Sequence, residues 1–366
     1  MRPTDSMLLC VAIRHGGGPG RRSRARLGRY LLLLVVSLAG GLSAAQSDAP
    51  GGGEGTPLAA VDRGLAALAR LQTPAGDFTE GPAVTALAGM AFLAGGSTAT
   101  RGPYHAASAR CLQAVISHQD PVTGYLSDGT AQMYGHGFAT LFLAESYGMA
   151  PALPVRRSLE AALDLIAYAQ NQDGGWRYDP TPSDADLSIT ICQVMALRAG
   201  YNVGVGGDQC LECMQRALAY VRRCANHNGS FRYKPEQEDE YGSGSPEAVG
   251  RTAAGCMCLF GMGVADASDR DLGPALVFLR RFCTARLRIQ DGYYWYAQYY
   301  AAQAMFHSPD PADWTAYWNS ARPIILGRQE PLGLWTQGEG PGPAYATAMA
   351  LIILQIPNDY LPIFQR

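Results

Sequence analysis

One short pattern returns along most of this 366-residue chain: Gln, three residues, Gly, any residue, then an aromatic. Its clearest copy is Gln170–Gly174–Trp176, which follows the apolar run Ser158 to Ala169. It returns at Gln72–Gly76–Phe78 and Gln329–Gly333–Trp335. Looser copies are Gln119–Gly124–Tyr125, Gly229–Phe231 and Gln290–Gly292–Tyr294. Six copies roughly 40–60 residues apart mark a repeat architecture, in which each unit buries its apolar face against its neighbours. Within one copy a helix ends and the glycine takes the left-handed position that stops it. The aromatic closes over the turn, and the glutamine bonds a backbone group left unpaired at the helix end. The motif therefore reads first as a staple between helices.

Around these turns two kinds of helical segment alternate. Leu58–Leu71, Tyr104–Ser117, Val155–Ala169, Cys210–Cys224, Leu272–Thr284 and Trp314–Leu326 carry Arg, Glu and Gln on one face and Leu, Ala and Val on the other. Pro82–Leu93, Gly135–Tyr147, Leu187–Ala199, Ala248–Met262, Trp295–Phe306 and Tyr345–Ile356 are apolar nearly all round. The first kind suits an outer layer and the second a position buried on every side. No stretch has the alternation of a strand. The expected fold is all-α: an α/α toroid, or double-layered α6/α6 barrel, of six helix-pair repeats.

The N-terminus reads as an address. Six arginines between Arg14 and Arg29 precede the apolar run Tyr30–Ala39, and Ser43-Ala44-Ala45 follows as a small-residue cleavage site. That order is a secretory signal peptide over residues 1–45, exporting the chain to a periplasmic or extracellular space, with an uncleaved anchor as the alternative. Residues 46–56 are a Gly-rich linker, and 57–366 the toroid domain, with no stable membrane span once the leader is removed. Seven of the 29 basic and one of the 31 acidic residues lie in 1–45, which leaves 22 basic against 30 acidic. A surplus of acid argues against nucleic acid as a partner. Lys234 is the only lysine, so lysine chemistry has little to work with.

On these residues the chain resembles the terpene cyclase and prenyltransferase superfamily of α/α toroids, whose QW motif the aromatic turn resembles. Three segments, Met133–Thr140, Tyr299–Met305 and Tyr345–Leu351 with the ending Leu361–Phe364, are similar to exported, squalene-cyclase-like bacterial repeat proteins of no established activity. The resemblance implies an apolar or isoprenoid ligand. Class II cyclases protonate an alkene with Asp-x-Asp-Asp at the start of an inner helix, where a neighbour holds the central acid protonated. Here the matching place reads Asp184-Ala185-Asp186-Leu187, so Asp186 keeps the acid position and Leu187 replaces the last carboxylate. Asp is also a preferred helix cap, the alternative role for Asp186. Prenyltransferases hold zinc through Asp, Cys and His. In this chain Tyr293 stands for the Cys after Asp291, and Ala346 for the His, so no metal and no cofactor are expected. Some relatives carry a Cys-Gly-Glu-Gln thioester motif, absent here.

Cys210, Cys213, Cys224 and His227 have only a faint metal pattern, and in an oxidising space some of the cysteines left after leader removal could pair. His136, between Gly135 and Gly137 at the start of an inner segment, joins Asp186 as a candidate catalytic group, against the alternative of a structural histidine. The inner segments share one direction, so their N-termini gather at one mouth. Glu80, Tyr134, Asp184, Arg251, Tyr296, Tyr299 and Tyr345 are the candidate ligand contacts there. Three functions fit: an exported binding or scaffold toroid, favoured because both catalytic motifs are incomplete; a cyclase-like enzyme on an isoprenoid or other apolar substrate; and a carbohydrate-active α/α barrel with a glycan partner.

Overall fold

The computed structural model describes residues 56–129, 132–237, 245–283 and 293–365. The leader expected over 1–45, residues 46–55 of the linker, and Gln290, Asp291 and Gly292 of the sixth copy lie outside them.

Among the described residues the chain forms twelve α-helices and no extended sheet. The outer six are α1 (Pro57–Leu71), α3 (His105–Ser117), α5 (Leu153–Ala169), α7 (Gly207–Arg223), α9 (Leu272–Phe282) and α11 (Pro311–Leu326). The inner six are α2 (Pro82–Ala94), α4 (Gln132–Met149), α6 (Leu187–Asn202), α8 (Pro246–Gly261), α10 (Tyr294–His307) and α12 (Pro343–Gln355). These are the twelve segments expected, with ends within about one helical turn, the usual uncertainty of boundaries. Pro stands in the first or second position of α1, α2, α5, α8, α11 and α12, where its missing N–H costs nothing.

The inner helices contact one another in the order α2, α4, α6, α8, α10, α12 and back to α2, so the ring is closed. The expected α/α toroid is the fold. Burial follows the two layers. In α2 every residue but Ala83 is buried, and in α12 every residue but Pro343 and Tyr345, whereas α7 buries only six of its seventeen.

The recurring motif is indeed a staple, but it works across repeats. Gln72 donates to its own turn at Gly76 O (2.8 Å) and to Ala107 O of the next outer helix (3.0 Å). Gln119 does the same to Gly124 O and Ser158 O, and Gln170 to Gly174 O and Cys213 O. Gln329 donates to Gly333 O and to Ala60 O at 2.7 Å, tying the last outer helix to the first and locking the ring. The glycine does not stop the helix. In α1 and α5 the glutamine itself leaves helical geometry and ends the helix. The glycine is needed because it turns with positive φ against the neighbouring helix: a Cβ on Gly174 would lie 2.3 Å from Arg216 O, and one on Gly333 2.5 Å from Arg63 O.

In five of the turns the closing residue donates its backbone N–H to an inner helix. Phe78, Trp176, Phe231 and Trp335 donate to the Oγ1 of Thr85, Thr190, Thr252 and Thr347. In the second repeat the closing residue is Leu126, not Tyr125 as the sequence suggested, and its partner is His136 Nδ1 at 3.1 Å. At the far end of the barrel, short 3-10 turns at Ile356–Asn358 and Pro362–Phe364 bring the buried Leu361, Ile363 and Phe364 under the inner helices.

Candidate functional site

A cavity of about 660 Å³ lies at the N-terminal ends of the inner helices. The staples explain its wall. Two residues before each of Thr85, His136, Thr190, Thr252 and Thr347 stand Ala83, Tyr134, Ser188, Gly250 and Tyr345, and all five line the cavity. A staple residue points outward to its turn, and a side chain about 200° away along the helix must face the barrel axis. In α10, Tyr296 completes the ring. Leu87 and Phe138, one turn deeper, form the floor.

Above this ring the turns contribute. Glu80, Tyr178 and Tyr233 each come two residues after a closing aromatic, Phe78, Trp176 and Phe231 respectively. Glu247, Tyr293 and Glu339 complete the mouth. Two of the carboxylates meet helix N-termini: Glu80 Oε1 accepts from Ala344 N of α12, and Glu339 Oε2 accepts from Tyr293 N before α10, both at 3.2 Å. Tyr293 is held at φ +64°, a left-handed conformation that costs a non-glycine residue free energy, and the residue is 61% exposed. Arg251 is nearly buried and donates through Nε to Phe231 O at 3.1 Å. Burial pushes the phenols of Tyr134, Tyr233, Tyr296 and Tyr345 well above the usual tyrosine range, so these walls are neutral at ordinary pH.

Of the nine residues singled out in the sequence, Glu80, Tyr134, Arg251, Tyr296 and Tyr345 line this cavity; His136, Asp184, Asp186 and Tyr299 are not among its lining. His136 is fully buried, accepts from Leu126 N at Nδ1, and reaches Ala162 O with Nε2 at 3.1 Å. That pair of partners sets the neutral tautomer with the proton on Nε2, and burial lowers its pKa to about 4. Asp186 is fully buried at the N-cap of α6, where Oδ1 accepts from Ile189 N at 2.9 Å and Oδ2 lies 3.6 Å from Arg177 Nη1. Burial raises its pKa, against the opposing pull of the Ile189 N–H, Tyr233 and Arg177. Asp184 is half exposed and paired with Lys234 Nζ at 2.6 Å and Arg177 at 3.6 Å. Its burial cost is outweighed by Lys234, the Ala185 N–H and Arg177, so its pKa falls. Tyr299 is buried one layer behind the floor, edge-on to Phe138 with ring centres 6.1 Å apart.

Sequence reasoning missed Tyr178, Tyr233, Glu247 and Glu339. The spacing of two from the closing aromatic carries the signal for Tyr178 and Tyr233, as it does for Glu80. Glu247 and Glu339 had none. All eight cysteines of the described residues are buried free thiols, and no group of three or more His, Cys, Asp or Glu there is arranged to hold a metal ion.

No family model matches the chain, and no curated protein matches it. Solved structures do. The α-1,6-mannanase GH76A of Salegentibacter sp. HEL1_6 superposes with a TM-score of 0.63 at 8% identity, over 82% of this chain and 98% of that one. The type II terpene cyclase MstE from Scytonema superposes at 0.56 and 15% identity, over 83% and 99%. A form of MstE holding its substrate, geranylgeranyl dihydroxybenzoate, gives 0.57 at 14% identity, over 82% and 96%. At such identities the likeness is one of fold. The chain is an α/α toroid of the architecture that terpene cyclases and these mannanases share, with its cavity at the mouth where the inner helices begin.

Proposed function

We propose that this chain is an exported toroid that binds a small molecule in its mouth cavity, with Glu80, Tyr134, Arg251, Tyr296 and Tyr345 among the contacts, and that it lacks the full cyclase motif and the prenyltransferase zinc motif. One observation carries the reading. Asp186, the residue in the position of the cyclase acid, caps α6 through Oδ1 and is not among the residues lining the cavity, whose tyrosine walls carry Glu80, Glu247, Glu339 and Arg251 in place of an Asp pair. A positioned acid must reach the atom it protonates, and Asp186 has Oδ1 bonded to Ile189 N and Oδ2 beside Arg177.

The mannanase likeness supports a second reading, a carbohydrate-active barrel, because GH76A has been solved with α-1,6-mannotriose and this mouth also gathers glutamates among aromatic rings. Glycoside cleavage needs two carboxyl groups facing one bond, and here Glu80 and Glu339 accept from helix N-termini. Binding therefore has more support than cleavage.

Native mass spectrometry of the protein purified from its own source should show a bound small molecule in the wild type. In Ala83→Trp, which fills the cavity from a partly exposed position of α2, the molecule should be absent. Steady turnover of a prenyl or glycan substrate that Asp186→Asn abolishes without loss of fold would overturn the binding reading.

A further inference from the structure

The chemistry of the mouth narrows what enters it, granted that the cavity binds a small molecule as proposed above. The charged lining residues are three carboxylates, Glu80, Glu247 and Glu339, and one guanidinium, Arg251, whose Nε is already committed to Phe231 O. Six tyrosines and Phe138 supply the remaining polarisable surface. Ring faces carry negative potential and attract cations. The phenols of Tyr134, Tyr233, Tyr296 and Tyr345 stay protonated, so the rings keep their hydroxyl protons.

Two of these rings already hold a cation. The Arg177 guanidinium lies 4.6 Å from the centre of Tyr178 and 5.5 Å from that of Tyr233, backed by Asp184 and Asp186. The chain itself thus seats a cation between tyrosine faces and carboxylates at this end of the barrel.

At four of the six inner helices the usual attraction of the N-terminus for anions is answered from within. Glu80 meets the start of α12 and Glu339 that of α10, Asp186 caps α6, and Ser245 caps α8. A phosphate or diphosphate entering the mouth would find those amides taken and three carboxylates facing it. A purely hydrocarbon ligand would strip water from the same carboxylates and give their charge no partner in the cavity.

We propose that the mouth cavity selects a small organic cation, an ammonium or quaternary ammonium group on an apolar or ring body, whose charge sits among the tyrosine faces within reach of Glu247, Glu80 and Glu339. Glu247 is the carboxylate of the three to test, since the other two also serve the helix ends.

Calorimetric titration of the full-length protein checks this with choline, its uncharged carbon isostere 3,3-dimethyl-1-butanol, inorganic diphosphate and α-1,6-mannotriose as probes. Choline should bind about thirtyfold tighter than the isostere, the size of one desolvated cation–π contact. Glu247→Gln should narrow that preference, and Ala83→Trp should abolish choline binding. Equal binding of choline and the isostere, tighter binding of diphosphate or mannotriose, or no choline binding at all would each overturn the cation proposal. If the winning neutral or anionic probe is lost in Ala83→Trp, the cavity reading survives the failure. If choline binds Ala83→Trp as well as wild type, both fall together.

Discussion

His136 and Thr190 hold the same place in successive repeats. Thr190 Oγ1 accepts the backbone N–H of Trp176 at 3.2 Å, and His136 Nδ1 accepts that of Leu126 at 3.1 Å. Where the turn closes with a large indole, a short threonine suffices; Trp176 also sends its own ring N–H back to Ile166 O at 2.7 Å. Where it closes with Leu126, a longer imidazole fills the space and bonds Ala162 O of the outer helix. The histidine that the sequence offered as a catalytic candidate thus has both ring nitrogens engaged inside the wall.

His136→Ala should therefore act on stability and leave ligand binding intact. It strands the buried Leu126 N–H, at a cost of about 1–3 kcal/mol, and His136→Thr should recover part of it by restoring the threonine of four other repeats. Chemical denaturation of both variants beside a ligand titration decides the matter. A His136→Ala protein that melts normally and no longer binds would return this residue to the site.

Trp176→Ala should cost about 3–5 kcal/mol, since the indole is fully buried and its N–H is bonded. Trp335→Ala should cost a similar amount, because its indole donates to Ile325 O at the same 2.7 Å. A melting curve unchanged by either substitution would mean that the closing aromatics do not hold the ring.

Asp186→Asn should change stability by less than about 1 kcal/mol, because Asn caps a helix as well as Asp does. Asp186→Ala should cost about 0.5–2 kcal/mol through the lost bond to Ile189 N. Thermal denaturation of the pair tests the cap; equal losses in both would show that the charge beside Arg177, not the cap, is what matters.

Stability should depend on pH through two buried groups with opposite signs. Burial raises Glu145 from 4.5 to about 8, with the Ile363 N–H pulling the other way. The unfolded chain releases this proton above about pH 4.5 and the folded chain keeps it to about 8, so stability drains away as pH rises across that window. His136, lowered from 6.5 to about 4, does the reverse: its contribution is intact above 6.5 and lost as pH falls toward 4. One group of this kind contributes a slope of up to ~1.4 kcal/mol per pH unit. Denaturation between pH 5 and 8 should show Glu145→Gln flattening the alkaline side, and a wild-type slope preserved in that variant would refute the assignment.

Export should leave a mature N-terminus near Gln46, after Ser43-Ala44-Ala45. N-terminal sequencing of the native protein reads it directly, and a chain beginning at Met1 or Met7 would rule the leader out.

Layering and repeat were legible in the chain itself. A helix apolar all round, as at Pro82–Ala94, has nowhere to go but inside, and six alternations of such helices with amphipathic ones leave a two-layered ring as the packing that covers every apolar face. These are local periodicities, and a sequence records them residue by residue. What Gln329 does could not be read that way, because its partner Ala60 is 269 residues distant and meets it only when the ring closes. Packing of one repeat on the next likewise decided that Gly174 presses on Arg216 O, that Tyr178 and Tyr233 line the cavity, and that Glu80 and Glu339 reach the starts of other inner helices. His136 and Tyr134 show the division most sharply. They are two residues apart on one helix, Tyr134 a ligand-contact candidate and His136 a catalytic candidate in the sequence, yet the turn of α4 sends the imidazole into the wall and the phenol into the cavity. Which side of a helix meets the barrel axis depends on what its neighbours press against it, and that is settled by the packed ring as a whole.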